Sequence, residues 1–169
     1  MSLNLEKLNE NLDAKKIYDI LNTDEEDVVC LFVGGCVRDL ISNREILDVD
    51  FATSLTPDKI KRKLEASNIE YDNSFENYGS IKIRLNEKSF EVNTLRKDFD
   101  QDGRHSEVIF TQDWRQDALR RDFTINAIYC DINGRIYDPF KGVDDLNNGI
   151  IRFIGDPIKR IQQDYLRAL

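Results

Sequence analysis

Val33-Gly34-Gly35-Cys36-Val37-Arg38-Asp39-Leu40, followed by Leu47-Asp48-Val49-Asp50-Phe51, is the stretch that decides the fold. The preceding run Val28-Val29-Cys30-Leu31-Phe32-Val33 is apolar throughout, which predicts a buried strand. It runs into Gly34-Gly35, where the missing Cβ lets the backbone turn sharply and approach a ligand. A short helix over about 35–41 is expected next. Its free N–H groups point back at the turn, a favourable place for an anion, and Arg38 lies about one turn in. Asp48-x-Asp50 then falls in an apolar run predicted to form a strand over about 47–53, where residues i and i+2 share a face. Two carboxylates on one face, opposite a phosphate cradle, are what divalent metals need to bridge a triphosphate. Singly, a Gly-Gly pair is a structural turn and Asp-x-Asp a solvated strand end. The ordered combination within about fifteen residues is the specific signal.

Composition narrows the class. The chain has 169 residues, 40% hydrophobic and 33% charged, which describes a globular protein of one domain, or one and the start of another. No apolar run approaches the roughly 20 residues needed to cross a bilayer, and no secretory signal opens the chain. Cys30, Cys36 and Cys130 are far apart in apolar or turn settings, which reads as reduced cytosolic thiols. With one histidine, His105, and no Cys/His cluster, a zinc site is not expected. The net charge of -8 argues against a generic nucleic-acid binder. The acid excess is concentrated in residues 1–27, which carry 3 basic and 8 acidic residues, away from the motifs.

Along the chain, leucines and isoleucines at helical spacing predict an amphipathic helix over 3–21, ended by Asp24-Glu25-Glu26-Asp27. Thr56-Pro57 starts a second helix, with Thr56 as N-cap. Its Lys59, Lys61, Arg62 and Lys63 read as a solvated face. Ile69–Asp72, Ser80–Leu85 and Ser89–Leu95 read as strands, the last two joined by a turn at Asn86-Glu87-Lys88. Residues 98–106 are polar and predict a mobile loop. Gln112–Arg121 is expected to be helical, with Trp114, Ala118 and Leu119 on its buried face. Ala127–Ile132 and Arg135–Tyr137 flank Asn133-Gly134 as a hairpin. Ile150–Ile154 reads as a short strand, and Asp156-Pro157 starts a helix over 158–169.

Strand, Gly-Gly, helix with Arg, then Asp-x-Asp resembles the signature of the nucleotidyltransferase superfamily that includes DNA polymerase β. More closely, Gly34-Gly35-Cys36-Val37-Arg38-Asp39 resembles the first motif of the class II tRNA nucleotidyltransferases (CCA-adding enzymes) and the related bacterial poly(A) polymerases. Glu91, in Phe90-Glu91-Val92-Asn93-Thr94, resembles the family's Glu-Val-x-Thr strand, which implies a third carboxylate beside Asp48 and Asp50 rather than a solvent-facing residue. Asp102-Gly103-Arg104-His105 resembles a flexible family loop that affects the switch from C to A addition. A metal mechanism does not require His105 as a base.

Arg120-Arg121-Asp122-Phe123-Thr124-Ile125-Asn126-Ala127 resembles the second motif. Arg121 offers a fork of donors to a phosphate or ribose oxygen, and Asp122 and Asn126 can take hydrogen bonds from ribose hydroxyls. Residues 138–146 resemble the third motif, an architectural link to the next helical domain. Gln163-Asp164-Tyr165-Leu166-Arg167 resembles the family's Glu-Asp-x-x-Arg motif, with Gln163 in place of the usual Glu. On a helix Asp164 and Arg167 share a face. That pair is either an intrahelical ion pair or a protein template, Asp164 accepting from the exocyclic amine of C or A and Arg167 donating to the ring nitrogen. Uracil and guanine would leave those groups mispaired.

The resemblance implies a polymerase-β-like α+β fold. A mixed, mainly antiparallel sheet carries helices mostly on one face, with Asp48, Asp50 and Glu91 adjacent at one end. It divides the chain into an N-terminal helix and acidic loop (1–27), a nucleotidyltransferase head (28–155) and the start of a helical neck (156–169). The implied activity is template-independent addition of C and A from CTP and ATP to the 3′ end of tRNA, in the cytoplasm, without a membrane partner. Asp48 and Asp50 would hold two Mg²⁺, Glu91 would complete the catalytic set, and Gly34, Gly35, Arg38 and Arg121 would hold the triphosphate. Alternatives are a poly(A) polymerase, a partial CC- or A-adding enzyme, and a non-catalytic NTP-binding remnant. Family members continue into a long helical region that binds tRNA. A chain ending at Leu169 is therefore expected to be shortened, to be partnered by a second chain, or to be a remnant.

Overall fold

The computed structural model describes residues 10–101 and 105–168. Helix α1 (Leu12–Asn22) precedes β1 (Cys30–Val33), α2 (Gly35–Ile41), β2 (Asp50–Thr53) and α3 (Pro57–Ala66). Then come β3 (Tyr71–Asp72), a 3-10 turn (Glu76–Tyr78), β4 (Ser80–Leu85), β5 (Lys88–Thr94), β6 (Arg96–Gln101), β7 (His105–Phe110) and α4 (Trp114–Leu119). A 3-10 turn (Thr124–Asn126), β8 (Tyr129–Cys130), β9 (Ile136–Tyr137), α5 (Gly142–Asn147), α6 (Pro157–Gln163) and a last 3-10 turn (Tyr165–Ala168) complete the chain.

Seven strands form one sheet in the order β3-β4-β5-β2-β1-β8-β9. Among the described residues only β2 and β5 run parallel. Strand alternation splits the apolar residues between two faces. On one, Phe32, Phe51, Phe90, Val92 and Cys130 pack against α1, α2 and α3 through Ile17, Leu21, Val37, Leu40, Ile60 and Leu64. Phe32 stacks on Tyr18 at 5.3 Å between ring centroids. On the other, a smaller cluster joins Val33, Ala52, Ala118 and Tyr129. Three helices thus cover one face, and the second stays partly open for polar groups.

Local chemistry sets the joints. The Asn11 side chain caps α1 by accepting from Ala14 N at 3.2 Å. At the other end, Asn22 Oδ1 accepts from Val29 N and Cys30 N at 2.9 and 3.0 Å, tying the helix to β1. Asn86 and Glu87, at φ 48° and 64°, make the two-residue hairpin between β4 and β5, a pairing whose twist suits the strands.

Several expectations need correction. Of the expected mobile loop over 98–106, the described residues 98–101 and 105–106 are strand instead: β6 and β7 pair antiparallel from Arg96–Phe110 to Gln101–His105. A two-stranded ribbon beside the main sheet satisfies its backbone without an apolar alternation, so composition hid it. The expected strand over 150–154 reduces to one bridge, Phe123 to Phe153. Helix α4 is shorter than expected, and Leu119 is 39% exposed rather than buried. The helix expected over 158–169 stops at Gln163, because Asp164 is extended at φ −154° and ψ 108°. Residues 1–9, which include the first part of the helix expected over 3–21, and Asp102-Gly103-Arg104 lie outside the described residues, as does the His105 side chain. Cys30, Cys36 and Cys130 are all buried free thiols, as their apolar settings suggested.

Candidate active site

Strand pairing builds the centre. Val33 lies opposite Asp50 in the antiparallel β1–β2 pair, and Asp50 lies beside Glu91 in the parallel β2–β5 pair. The Gly34 turn at the end of β1, Asp50 on β2 and Glu91 on β5 therefore lie on three adjacent strands of the sheet. Strand β2 begins at Asp50, one correction to the expected Asp-x-Asp strand: Asp48 is exposed in the loop before it. Asp48, Asp50 and Glu91 nonetheless line one recess of about 280 Å³, which Lys82 also borders.

The carboxylates are not compensated among themselves. Burial raises the Asp50 carboxyl above its ordinary value, Glu91 and Asp48 push the same way, and Arg121 opposes them. Ser80 Oγ donates to Glu91 Oε1 at 2.8 Å and orients it. Among the described residues no three His, Cys, Asp or Glu side chains enclose a cation by themselves. Asp48, Asp50 and Glu91 offer hard oxygen donors with clustered negative charge, the donor type that divalent cations such as Mg²⁺ accept.

Opposite lies a cationic wall. Gly34 adopts φ 77° and ψ −130°, a conformation closed to residues with a Cβ. A Cβ there would meet Arg121 Nη1 at 3.5 Å, so the turn and the arginine are in close approach. The first bond of α2 runs from Arg38 N–H to Gly34 O, which leaves the N–H groups of Gly35 to Val37 ahead of the helical ladder. Arg38 Nη1 donates to Asn126 Oδ1 at 2.9 Å, while its Nε and Nη2 hold Asp39. Asn126 Nδ2 in turn donates to Asp122 Oδ1 at 3.2 Å. Arg38 of the first motif and Asn126 and Asp122 of the second thus form one chain of hydrogen bonds.

Arg121 is anchored by groups the motif reading missed. Its Nε donates to Tyr129 Oη at 3.2 Å, its Nη2 approaches Asp117 Oδ2 at 3.4 Å, and its guanidinium lies 5.3 Å from the Tyr129 ring centre. Asp117 is fully buried. It also accepts from Tyr129 Oη at 2.8 Å, Arg120 Nε at 2.8 Å and Arg96 N at 3.3 Å. Burial works against its ionisation, but Arg120 and Arg121 outweigh that and hold its carboxyl below the usual range. The spacing of Asp117 to Arg120 and Arg121, at i+3 and i+4, was the available signal. Nothing in the sequence singled out Tyr129.

The remaining expected pair is not brought together as a helical face. Asp164 is exposed and accepts from Leu166 N at 3.0 Å. Arg167 turns instead to Asp122 Oδ2 at 3.5 Å and to Arg160 O at 2.9 Å. Behind the second motif, Asp145 takes Thr124 Oγ1 at 2.8 Å and both ends of the Arg152 fork at 3.0 Å, fixing the turn that carries Asn126.

The poly A polymerase head domain family matches residues 30–152. CCA tRNA nucleotidyltransferase 1, mitochondrial, of Danio rerio is 49% identical over 137 residues, 80% of this chain and 32% of that protein. The CCA-adding enzyme of Lactobacillus helveticus is 41% identical over 140 residues, 82% of this chain and 34% of that protein. The chain thus spans about a third of the length of these relatives. The Bacillus stearothermophilus CCA-adding enzyme, solved in complex with CTP, superposes with a TM-score of 0.77 at 35% identity, covering 93% of this chain and 36% of that one. With that match, and a polymerase-β-like arrangement of sheet and helices to carry it, the chain belongs to the poly A polymerase head domain family, alongside the CCA-adding nucleotidyltransferases.

Proposed function

We propose that this chain is the catalytic head of a template-independent RNA nucleotidyltransferase that adds C and A residues from CTP and ATP to the 3′ end of tRNA. The observation that carries the reading is the side-by-side placement of Asp50 and Glu91 next to the Gly34 turn, with Arg121 facing them. It is supported by relatives named for CCA addition and by a similar solved tRNA nucleotidyltransferase complexed with a primer tRNA and an incoming ATP analog, at a TM-score of 0.63 and 26% identity, covering 82% of this chain and 39% of that one.

In this reading Gly34, Gly35, Arg38 and Arg121 hold the triphosphate, and Asp122 and Asn126 take the ribose hydroxyls. The RNA 3′-oxygen attacks the α-phosphorus. The O3′–Pα bond forms, the bond to pyrophosphate breaks with its electron pair, and the hydroxyl proton passes to solvent. Asp48 and Asp50 would hold divalent cations, Mg²⁺ by their oxygen donor set, and Glu91 would complete the site. Such cations, when bound, offset the charge on the reacting oxygens and acidify the attacking hydroxyl. Asp164 and Arg167 read the base, which requires Arg167 to leave Asp122. The head is assigned to residues 28–155 and the start of a neck to 156–169. The three reduced, buried cysteines favour a cytoplasmic setting. Among the described residues no helix is long and apolar enough to cross a membrane.

The test is incorporation of each labelled NTP, with Mg²⁺, into a tRNA lacking its 3′ CCA. Addition of C then A is expected. Runs of A alone would move the assignment to a poly(A) polymerase, and incorporation of U or G at comparable rates would remove the base-reading role of Asp164 and Arg167.

A further inference from the structure

Asp164 and Arg167 follow an element that the core does not hold. Helices in folded proteins owe most of their stability to an apolar face packed on the core, yet neither α6 nor the turn after it contains a buried residue. Ile158, Tyr165 and Leu166 are 68%, 74% and 74% exposed. The attachment of this segment to the head is therefore polar. One such contact, Arg167 with Asp122 at 3.5 Å, has to open for the base to be read. Arg160 supplies an attachment that need not.

Each nitrogen of the Arg160 guanidinium already has an acceptor. Nε donates to Ile154 O at 3.0 Å, Nη2 to Leu119 O at 2.6 Å and Nη1 to Gln163 Oε1 at 3.2 Å. Leu119 immediately precedes Arg120-Arg121, and Ile154 N donates to Asp122 O at 2.7 Å. The fork thus holds the main chain on both sides of the Arg121-Asp122 pair. The Arg160 carbonyl takes the other partner: it accepts from Asp164 N at 3.3 Å and from Arg167 Nη1 at 2.9 Å. Both residues assigned to the base are bonded to one residue, and that residue is clamped to the segment carrying Arg121 and Asp122. Hydrogen bonds from a charged donor are stronger than neutral ones, and a rigid fork reaches several acceptors at once where an ammonium cannot.

We infer that Arg160 is a positioning residue for base selection. It fixes the distance between Asp164 and Arg167, which read the base, and Arg121, which holds the triphosphate. A base that fails to match Asp164 and Arg167 then cannot gain a fit by moving them, because the triphosphate and the base readers share one frame. The inference rests on the base-reading assignment and adds the residue that ties the base readers to the triphosphate site.

The test is equilibrium dialysis of labelled CTP, UTP and tripolyphosphate, with Mg²⁺, against wild type, Arg160→Ala and Arg160→Lys. Wild type is expected to prefer CTP over UTP. Arg160→Ala should cut that preference at least about tenfold, with tripolyphosphate affinity unchanged. Arg160→Lys keeps the charge but not the fork and should cut the preference as well. A preference retained in either variant would overturn the positioning role alone. Affinities for CTP and tripolyphosphate falling together would assign Arg160 to the phosphates or to the fold at large, and would overturn it equally. Equal binding of CTP and UTP by the wild-type chain would overturn the base-reading assignment and this inference with it.

Discussion

Replacing Asp117 by alanine removes one buried carboxylate and disconnects four donors at once. Arg120 Nε, Arg121 Nη2, Tyr129 Oη and Arg96 N all lose their acceptor. The Arg120 and Arg121 side chains are only 16% and 17% exposed, so water cannot simply replace the lost partner. Removing one member of a buried ion pair typically costs about 3–5 kcal/mol. For a chain of this size each kcal/mol lowers the melting temperature by about 2–4 °C, so Asp117→Ala should melt about 6–20 °C below wild type. The functional consequence follows from geometry: Arg121 loses a fixed partner and no longer holds its approach to the Gly34 turn. Asp117→Asn separates the two effects. It keeps the volume and one acceptor oxygen but turns an NH₂ toward the guanidinium groups, so it should weaken CTP binding more than it lowers the melting temperature. Differential scanning fluorimetry and equilibrium dialysis with labelled CTP read both. An alanine variant melting within about 2 °C of wild type, with unchanged CTP affinity, would refute the view that Asp117 positions Arg121.

Gly142→Ala places a Cβ 2.1 Å from Thr124 O and 2.7 Å from Thr124 C, rigid backbone beneath the turn carrying Asn126. It should destabilise by at least about 1–3 kcal/mol in chemical denaturation. Arg121→Lys cannot reach Asp117, Tyr129 and Asn126 O together, since an ammonium is not a planar fork. CTP dialysis should show affinity falling at least about tenfold. The Asp117 carboxyl is depressed in the fold, so its stabilisation is present above the unfolded value of about 3.9 and lost as pH falls through the folded value. Urea titrations below about pH 4 should accordingly show a shallower pH slope for Asp117→Asn than for wild type. Burial pushes the Cys36 thiol up to about 11 and raises Cys30 as well, so native protein at pH 8 should resist iodoacetamide until unfolded, as mass spectrometry would register.

How much was legible in advance divides along physical lines. The Gly34 turn, Asp50 and Glu91 were readable because each carries its chemistry in a short motif and strand pairing brings such motifs into register. Asp117 was only half-readable: its helical spacing to Arg120 and Arg121 is local, but its burial is tertiary. Tyr129 lay beyond reach, since a tyrosine in an apolar strand says nothing about which guanidinium its hydroxyl meets across the sheet. The β6–β7 ribbon was missed because it carries no alternating apolar pattern. The Asp164–Arg167 helix failed for the opposite reason. Local propensity favoured continuing it, while contacts of Arg167 with Asp122 and Arg160 O accompany an extended Asp164.

The most direct test of the catalytic centre is transfer of labelled C from CTP, with Mg²⁺, onto a tRNA lacking its 3′ CCA, comparing wild type with Asp48→Ala/Asp50→Ala. Transfer by the wild-type chain, abolished in the double variant while the melting temperature holds, is the expected result. Transfer that survives loss of both carboxylates would contradict the assignment of Asp48 and Asp50 as the metal-holding pair.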